Sequence, residues 1–225
     1  MAVQNTLPDP NNQITDAGES GSGSTGPGFL SVKFSSIQPI LRDRTNSGRI
    51  ISRAHAYHKW QIGLTYNPLT REEFDPVYNF LLHRRGTLKP FFISLPQYRD
   101  QGPSGAKITG RTITSATNVN VAGKTTVLAS SVTNIKPGML FTITDSSDSS
   151  HTKAYIVTQV DDDASSATYK QITFTPGLAK QVSGGSALDF SDPKIKVIQT
   201  SDTREYSLNV NNLYTFSLNV EEVSQ

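Results

Sequence analysis

The sequence predicts a mainly β protein in which one β-domain, carrying a single packed helix at about residues 70–85, is interrupted by a second, smaller β-domain. Three observations carry this. Apolar and polar residues alternate with the period of a half-buried strand through residues 29–64 and 91–95, and the same style returns at 195–220. Only one segment has convincing helical spacing. From about Gly105 to 190 the composition turns to Thr, Ser, Val and Asp, with shorter strands.

Taken in order, residues 1–28 are Asn, Gln, Pro, Gly and Ser with hardly a large apolar side chain, and 18–28 has linker composition. Such a segment buries too little surface to offset its ordering entropy. We expect a flexible arm whose removal costs the fold nothing. Leu30, Val32 and Phe34 then share one strand face, with Ser31, Lys33 and Ser35 on the other. Ile37, Ile40 and Leu41 follow around Pro39, 45–48 is a turn, and Ile50 and Ile51 restart a strand. Ala56, His58, Trp60, Ile62 and Leu64 alternate with Tyr57, Lys59, Gln61 and Gly63, which puts Trp60 on the core side.

The helix has clear ends. Thr70 and Glu73 stand at capping-box spacing. Phe74, Val77, Tyr78, Leu81 and Leu82 make an apolar stripe, and His83, Arg84 and Arg85 place positive charge at the negative end of the dipole. Gly86 suits the position just past the end. Pro76 is the flaw: it kinks the helix, or the helix starts at Asp75 with Pro76 in its first turn.

After the helix, Phe91, Ile93 and Leu95 alternate with Phe92 and Ser94, and 98–105 has turn chemistry. The middle region shows strands at 118–121, 126–128, 139–143, 154–160 and 171–175, with polar hairpin loops at 145–150 and 161–166. Long strands resume at Ile195 and Val197, at Tyr206, Leu208 and Val210, and at Tyr214, Phe216, Leu218 and Val220. The domains expected are a flexible arm 1–28, a β-domain of 29–104 plus 191–225, and an inserted β-barrel or sandwich of 105–190. The core expected is Trp60, Ile62, Leu64, Phe74, Leu81, Phe91, Ile93, Phe216 and Leu218.

Charge and motifs exclude more than they assign. Lys+Arg less Asp+Glu is 21 − 19 = +2, too little for a nucleic-acid binder by charge alone. The charge is uneven: 29–104 holds 11 bases and 5 acids, while 1–28 holds Asp9, Asp16 and Glu19 and no base. There is no Cys, hence no disulfide and no thiolate metal site. No apolar run reaches the ~18 residues of a membrane span, and no charged-then-apolar leader opens the chain, so a soluble protein made in the cytoplasm is expected. His55 and His58 lack an acidic or Cys neighbour at ligand spacing, and Asp161–Asp163 lacks the calcium-loop pattern. No nucleophile elbow, phosphate loop, dinucleotide fingerprint or zinc-protease motif is present. We expect no catalytic, cofactor-binding or metal residues, and no enzyme.

One resemblance rests on the central stretch. A strand ending Leu64-Thr65-Tyr66 meets the helix with Thr70, Glu73 and Phe80-Leu81-Leu82. Then come Arg85-Gly86, the aromatic strand Pro90-Phe91-Phe92, Pro96 and Tyr98, and the last strand runs from Tyr214 to Val223. This resembles the lambda-type minor tail protein M family and, more loosely, the distal tail proteins of tailed bacteriophages, over about 29–100 and 195–225. The short lambda-type members lack an insert like 105–190, which resembles a β-module recurring in phage tail and capsid proteins.

The resemblance implies the split β-barrel of tail-tube subunits and a structural virion protein of the tail, assembled in the host bacterial cytoplasm. It implies a homo-oligomeric ring, hexameric by family, at the distal end of the tube. Its partners would be the tail tube protein and the baseplate hub or tail tip, with no membrane, and DNA only passing through the lumen. A neck or tail-terminator ring, or a receptor- or glycan-binding β-module, are the alternatives. Arg42, Arg44 and Arg49 around the 43–48 loop are candidate interface residues, with Glu221 and Glu222 as acids they would meet on an adjacent chain.

Overall fold

The computed structural model describes residues 5–8, 13–14, 20–21, 28–54, 58–145 and 147–223, with backbone only at 13, 14, 20, 21 and 54. Most of the arm 1–28, and His55, Ala56 and Tyr57, therefore lie outside the described residues. The strands are β1 (Gln13–Ile14), β2 (Ser20–Gly21), β3 (Phe29–Ile37), β4 (Ile40–Arg44), β5 (Ile50–Ala54) and β6 (Lys59–Tyr66). Helix α1 (Arg71–Arg84) and β7 (Phe91–Ser94) follow. Next come β8 (Arg111–Thr112), β9 (Thr126–Leu128), β10 (Leu140–Thr144), β11 (Ala154–Val160), β12 (Gln171–Thr175) and β13 (Ala187–Asp189). The chain ends with β14 (Lys194–Gln199), β15 (Tyr206–Leu208) and β16 (Tyr214–Glu222). The fold is mainly β with a single α-helix among the described residues, as a split barrel or sandwich requires. Two compact units divide it, Met1–Phe91 with Val197–Val223, and Phe92–Lys196.

The first unit is built on β6. Its residues Trp60, Ile62, Leu64 and Tyr66 are all buried, the alternation of a strand with one face on a core. β3 pairs with it on one side, Phe34 opposite Ile62, and β16 on the other, Val220 opposite Ile62. The sheet order is β3-β6-β16-β14-β7, with β15 also on β16.

Helix α1 begins where the sequence predicts. The Thr70 N–H and the Thr70 hydroxyl both donate to Glu73 Oε2, each at 2.9 Å. The helix includes Pro76 rather than starting at Asp75. It packs through an aromatic cluster. The Phe74 ring lies 4.5 Å from Tyr214, 5.1 Å from Tyr206 and 5.0 Å from Tyr78, and Tyr66 lies 5.6 Å from Phe216. Residues more than a hundred positions apart are thereby joined, which holds both ends of the chain in one unit. All nine expected core residues are buried.

Three local expectations need correction. The buried helix face is Phe74, Val77, Phe80, Leu81 and Arg84, whereas Leu82 is exposed. The stripe is rotated because Phe80 meets Phe91 edge-on at 5.4 Å and carries the Arg84 guanidinium 4.7 Å above its ring. In β3 the register slips between Phe29 and Ser31, so Leu30 is the extra residue and points out, and Phe29 packs on Tyr66 at 5.0 Å. Within the arm, Leu7 and Pro8 are buried, so the arm does contribute to the fold.

The second unit is a barrel. Its sheet order is β8-β13-β10-β11-β12-β9. The two end strands also meet: Ile113 bridges Ala129, Thr114 N–H donates to Leu128 O at 2.8 Å, and Ser130 N–H to Thr112 O at 2.8 Å. The six strands thus close on themselves and leave no open edge. Phe141 is the hub of the interior, 5.1 Å from Phe190, 5.5 Å from Phe174 and 5.6 Å from Tyr155. Residues 117–119 form a 3-10 turn rather than the strand expected at 118–121. Before β8, the Gln101 side chain clamps the barrel. It donates to Leu140 O at 2.7 Å and Phe190 O at 2.8 Å, and accepts from Leu140 N–H at 2.9 Å.

Candidate subunit interface

β4 and β5 form a two-stranded sheet by themselves. The connection is dictated locally. Thr45 N–H donates to Arg49 O at 2.9 Å, Gly48 N–H to Thr45 O at 2.8 Å, and Arg49 N–H to Thr45 Oγ1 at 3.1 Å. Gly48 takes φ +80, a conformation that favours glycine. The register sets Arg42 opposite Ser52 and Arg44 opposite Ile50 on one face, and Leu41 opposite Arg53 and Asp43 opposite Ile51 on the other.

Both faces are open to solvent. Ile40, Leu41, Ile50 and Ile51 are 60%, 58%, 45% and 55% exposed, so this ribbon carries four large apolar side chains in solvent. Arg42, Arg44 and Arg49 are exposed on it too. Asp43 turns its carboxylate onto the Arg44 N–H at 2.7 Å. A two-stranded hairpin alone in water is marginally stable at best.

The acids expected to answer these arginines have partners in their own chain. Glu221, on β16, is ion-paired with Lys59 of β6. Glu222 is buried and accepts the Trp60 N–H at 3.3 Å. Its parity explains this: Phe216, Leu218, Val220 and Glu222 all face inward. That signal was present in the sequence, since Glu222 continues the alternation of Val220. No ion pair joins Arg42, Arg44 or Arg49 to either glutamate among the described residues. Buried His58 shares a hydrogen bond of 2.9 Å with Ser36 Oγ and stands edge-on to Trp60 at 4.5 Å.

The barrel carries a groove of about 360 Å³ lined in part by Phe92, Asp145, Asp148, His151, Asp189 and Asp192. Its carboxylates are used within the fold. Asp145 accepts from the Ser147 and Ser183 N–H groups at 2.9 and 3.1 Å. Asp148 accepts from the Ser150 hydroxyl and N–H and from Lys180, which holds its pKa down at about 2. Asp189 caps Ser191 and Asp192, and Asp192 takes Ser94 and Arg99. Burial lowers the His151 pKa, and its Nε2 lies 3.0 Å from the Tyr155 hydroxyl, which takes the Ala179 N–H at 3.1 Å. Among the described residues no group of three or more His, Cys, Asp or Glu side chains is arranged to hold a metal ion, and no helix is long and apolar enough to cross a membrane.

The first unit is thus an open sheet with one packed helix and an exposed hairpin, and the groove carboxylates of the second unit are engaged in bonds within the fold. Residues 7–98, less than half of the chain, match the family described as distal tail protein pb9, A domain, N-terminal. Over those residues the chain is similar to a phage distal tail protein, which supports a structural role in the tail. The match names the distal tail side of the resemblance and not the lambda-type M family. No curated protein matches the chain.

Proposed function

We propose that several copies of this chain form a ring at the distal end of the tail tube, which joins the tube to the baseplate hub or tip. The β4–β5 hairpin carries this reading. It holds four exposed large apolar residues and the bases Arg42, Arg44, Arg49 and Arg53 on a ribbon too small to be stable by itself. Seated on an adjacent copy, the ribbon would bury that apolar surface, and its arginines would set register and association rate in a salt-dependent way. Closed cyclic symmetry gives every hairpin the same receiving surface. Six copies, a lumen that passes DNA, and contacts with the tube protein and hub are what the family resemblance adds. Glu221 would answer an arginine across the interface only by exchanging Lys59.

The test is sedimentation velocity and electron-microscopy class averages of the full chain, alone and with tube and hub proteins. A ring with a central hole is the expected result. Ile50→Lys with Ile51→Lys should abolish it while the monomer melt changes by less than about 0.5 kcal/mol, the usual range of a surface substitution. A protein that stays monomeric with every partner, or a double variant that assembles as wild type, would overturn the reading.

A further inference from the structure

The sheet of the first unit contains a break that its fold does not need. β14 and β15 both pair antiparallel with β16, but Gln199 lies opposite Val220 and Tyr206 opposite Phe216. Six residues, 200–205, therefore span only three of β16, Ser217, Leu218 and Asn219. The loop is pinned at two points. Thr200 donates through its N–H and its hydroxyl to Asn219 O, each at 3.2 Å. Asp202 accepts from the Thr87 N–H at 3.0 Å and the Thr87 hydroxyl at 2.8 Å. Between loop and strand lies a cleft of about 330 Å³.

Hydrogen-bond donors converge on this cleft. Gln199 is only 2% exposed, and its Oε1 accepts from Arg204 Nε at 2.7 Å. Because Arg204 can only donate, this bond fixes the amide with Nε2 turned away from it. Gln199 and Arg204 line the cleft, and Gln199 Nε2 and Arg204 Nη2 are buried with no partner among the described residues. Asn219 turns its carbonyl toward Thr200, so by strand parity Ser217 turns its N–H and C=O to the same side, into the break. Buried donors of this kind are regularly satisfied in folded proteins, and a guanidinium beside an amide suits a two-oxygen acceptor. Two acids are near. Asp202 is held by Thr87, and its pKa is lowered first by those two bonds and then by the Arg204 charge. Glu205 lines the cleft, but among the described residues Arg204 donates to Gln199 and not to Glu205.

We propose that this cleft receives a carboxylate, bridged by Arg204 Nη2 and Gln199 Nε2, and that a neighbouring copy of this chain supplies it. The second half rests on the ring reading above; the first half does not. In this arrangement the break in the sheet is a socket, and the assembled ring completes the hydrogen bonding of its own subunit.

The site is tested with sodium malonate as the probe, titrated into the full chain while NMR follows the Gln199 side-chain NH₂ and the Ser217 N–H. Saturable shifts are expected in the wild type and should be lost in Arg204→Met; sodium chloride at equal ionic strength should give none. No shift, or the same shift in Arg204→Met, would overturn the site. The source is tested by sedimentation velocity of Arg204→Met and Arg204→Glu. Both should weaken self-association, Arg204→Glu at least tenfold; the melting temperature should fall only modestly, because the unpaired Arg204 Nη2 is lost along with the Arg204 bond to Gln199 Oε1. If malonate binds but both variants assemble as wild type, the neighbour is not the source and that half falls. If the wild type forms no ring at all, the ring reading fails while the malonate titration still decides the site.

Discussion

The barrel and the open-sheet unit solve the same strand problem in opposite ways. In the barrel, β8 and β9 join and remove the edges. Its acids are capped by neighbouring serines, and Gln101 ties down β10. In the other unit the hairpin is left as an exposed ribbon and β16 is incompletely paired. The difference places the proposed assembly contacts on the open-sheet unit. A closed sheet has used its main-chain groups, whereas an open one offers them, together with Ile40, Leu41, Ile50 and Ile51, to a partner.

If the barrel is self-sufficient, its interior should dominate its stability. Phe141→Ala, at the hub of the aromatic core, should cost about 3–5 kcal/mol, and Leu81→Ala in the helix of the open-sheet unit about 2–5 kcal/mol. Calorimetry should show each acting on its own transition. A single shared transition moved equally by both would break the comparison.

We further propose that the barrel folds when separated from the rest of the chain. A fragment of 99–192 keeps the Gln101 clamp, and one of 105–190 loses its three hydrogen bonds, each worth about 0.5–1.5 kcal/mol. Both should give dispersed amide spectra, with the longer fragment melting at higher denaturant. A random-coil spectrum from the longer fragment would refute autonomy.

A smaller effect is expected at the helix end. Gly86 has φ +64, and a Cβ there would stand 2.5 Å from Asp202 Oδ1 and 3.2 Å from Asp202 Cα. Gly86→Ala should destabilise by about 1–3 kcal/mol in denaturant melts, through backbone strain and displacement of the Thr87–Asp202 contact. A neutral result would mean the loop 200–205 is not anchored there.

The finest test is electrostatic. Asp148 titrates at about 2, held there first by the Ser150 hydroxyl and N–H and then by Lys180. A depressed carboxyl pKa stabilises the fold above the ordinary value of about 3.9 and loses that contribution as the pH falls toward 2. Carbon-detected NMR should find this pKa, and Ser150→Ala should raise it. An unchanged value in Ser150→Ala would remove the serine cap as its cause.

The sequence by itself determined what depends on neighbours along the chain. Helix α1 was legible from Thr70, Glu73 and the apolar spacing, and β9, β11 and β12 from runs bounded by turn residues. Parity placed Trp60, Ile62 and Leu64 inside, whereas Glu222, expected at an interface for its charge, is carried inside by that same parity. The hairpin and its arginines were legible for the same reason: the 45–48 turn and alternating flanks are local. What only the tertiary structure decided involves partners far apart in sequence. The bulge that expels Leu30 arises in the register of β3 on β6. Phe91 and Phe80 set which helix face is buried, and Asp202 explains why residue 86 has no side chain. Barrel closure requires Ile113 to meet Ala129, and the Gln199–Arg204 cleft requires two strands to share β16 out of step. Propensity and periodicity act over a few residues, while register, closure and unpaired donors are properties of contacts between segments, which no local pattern encodes.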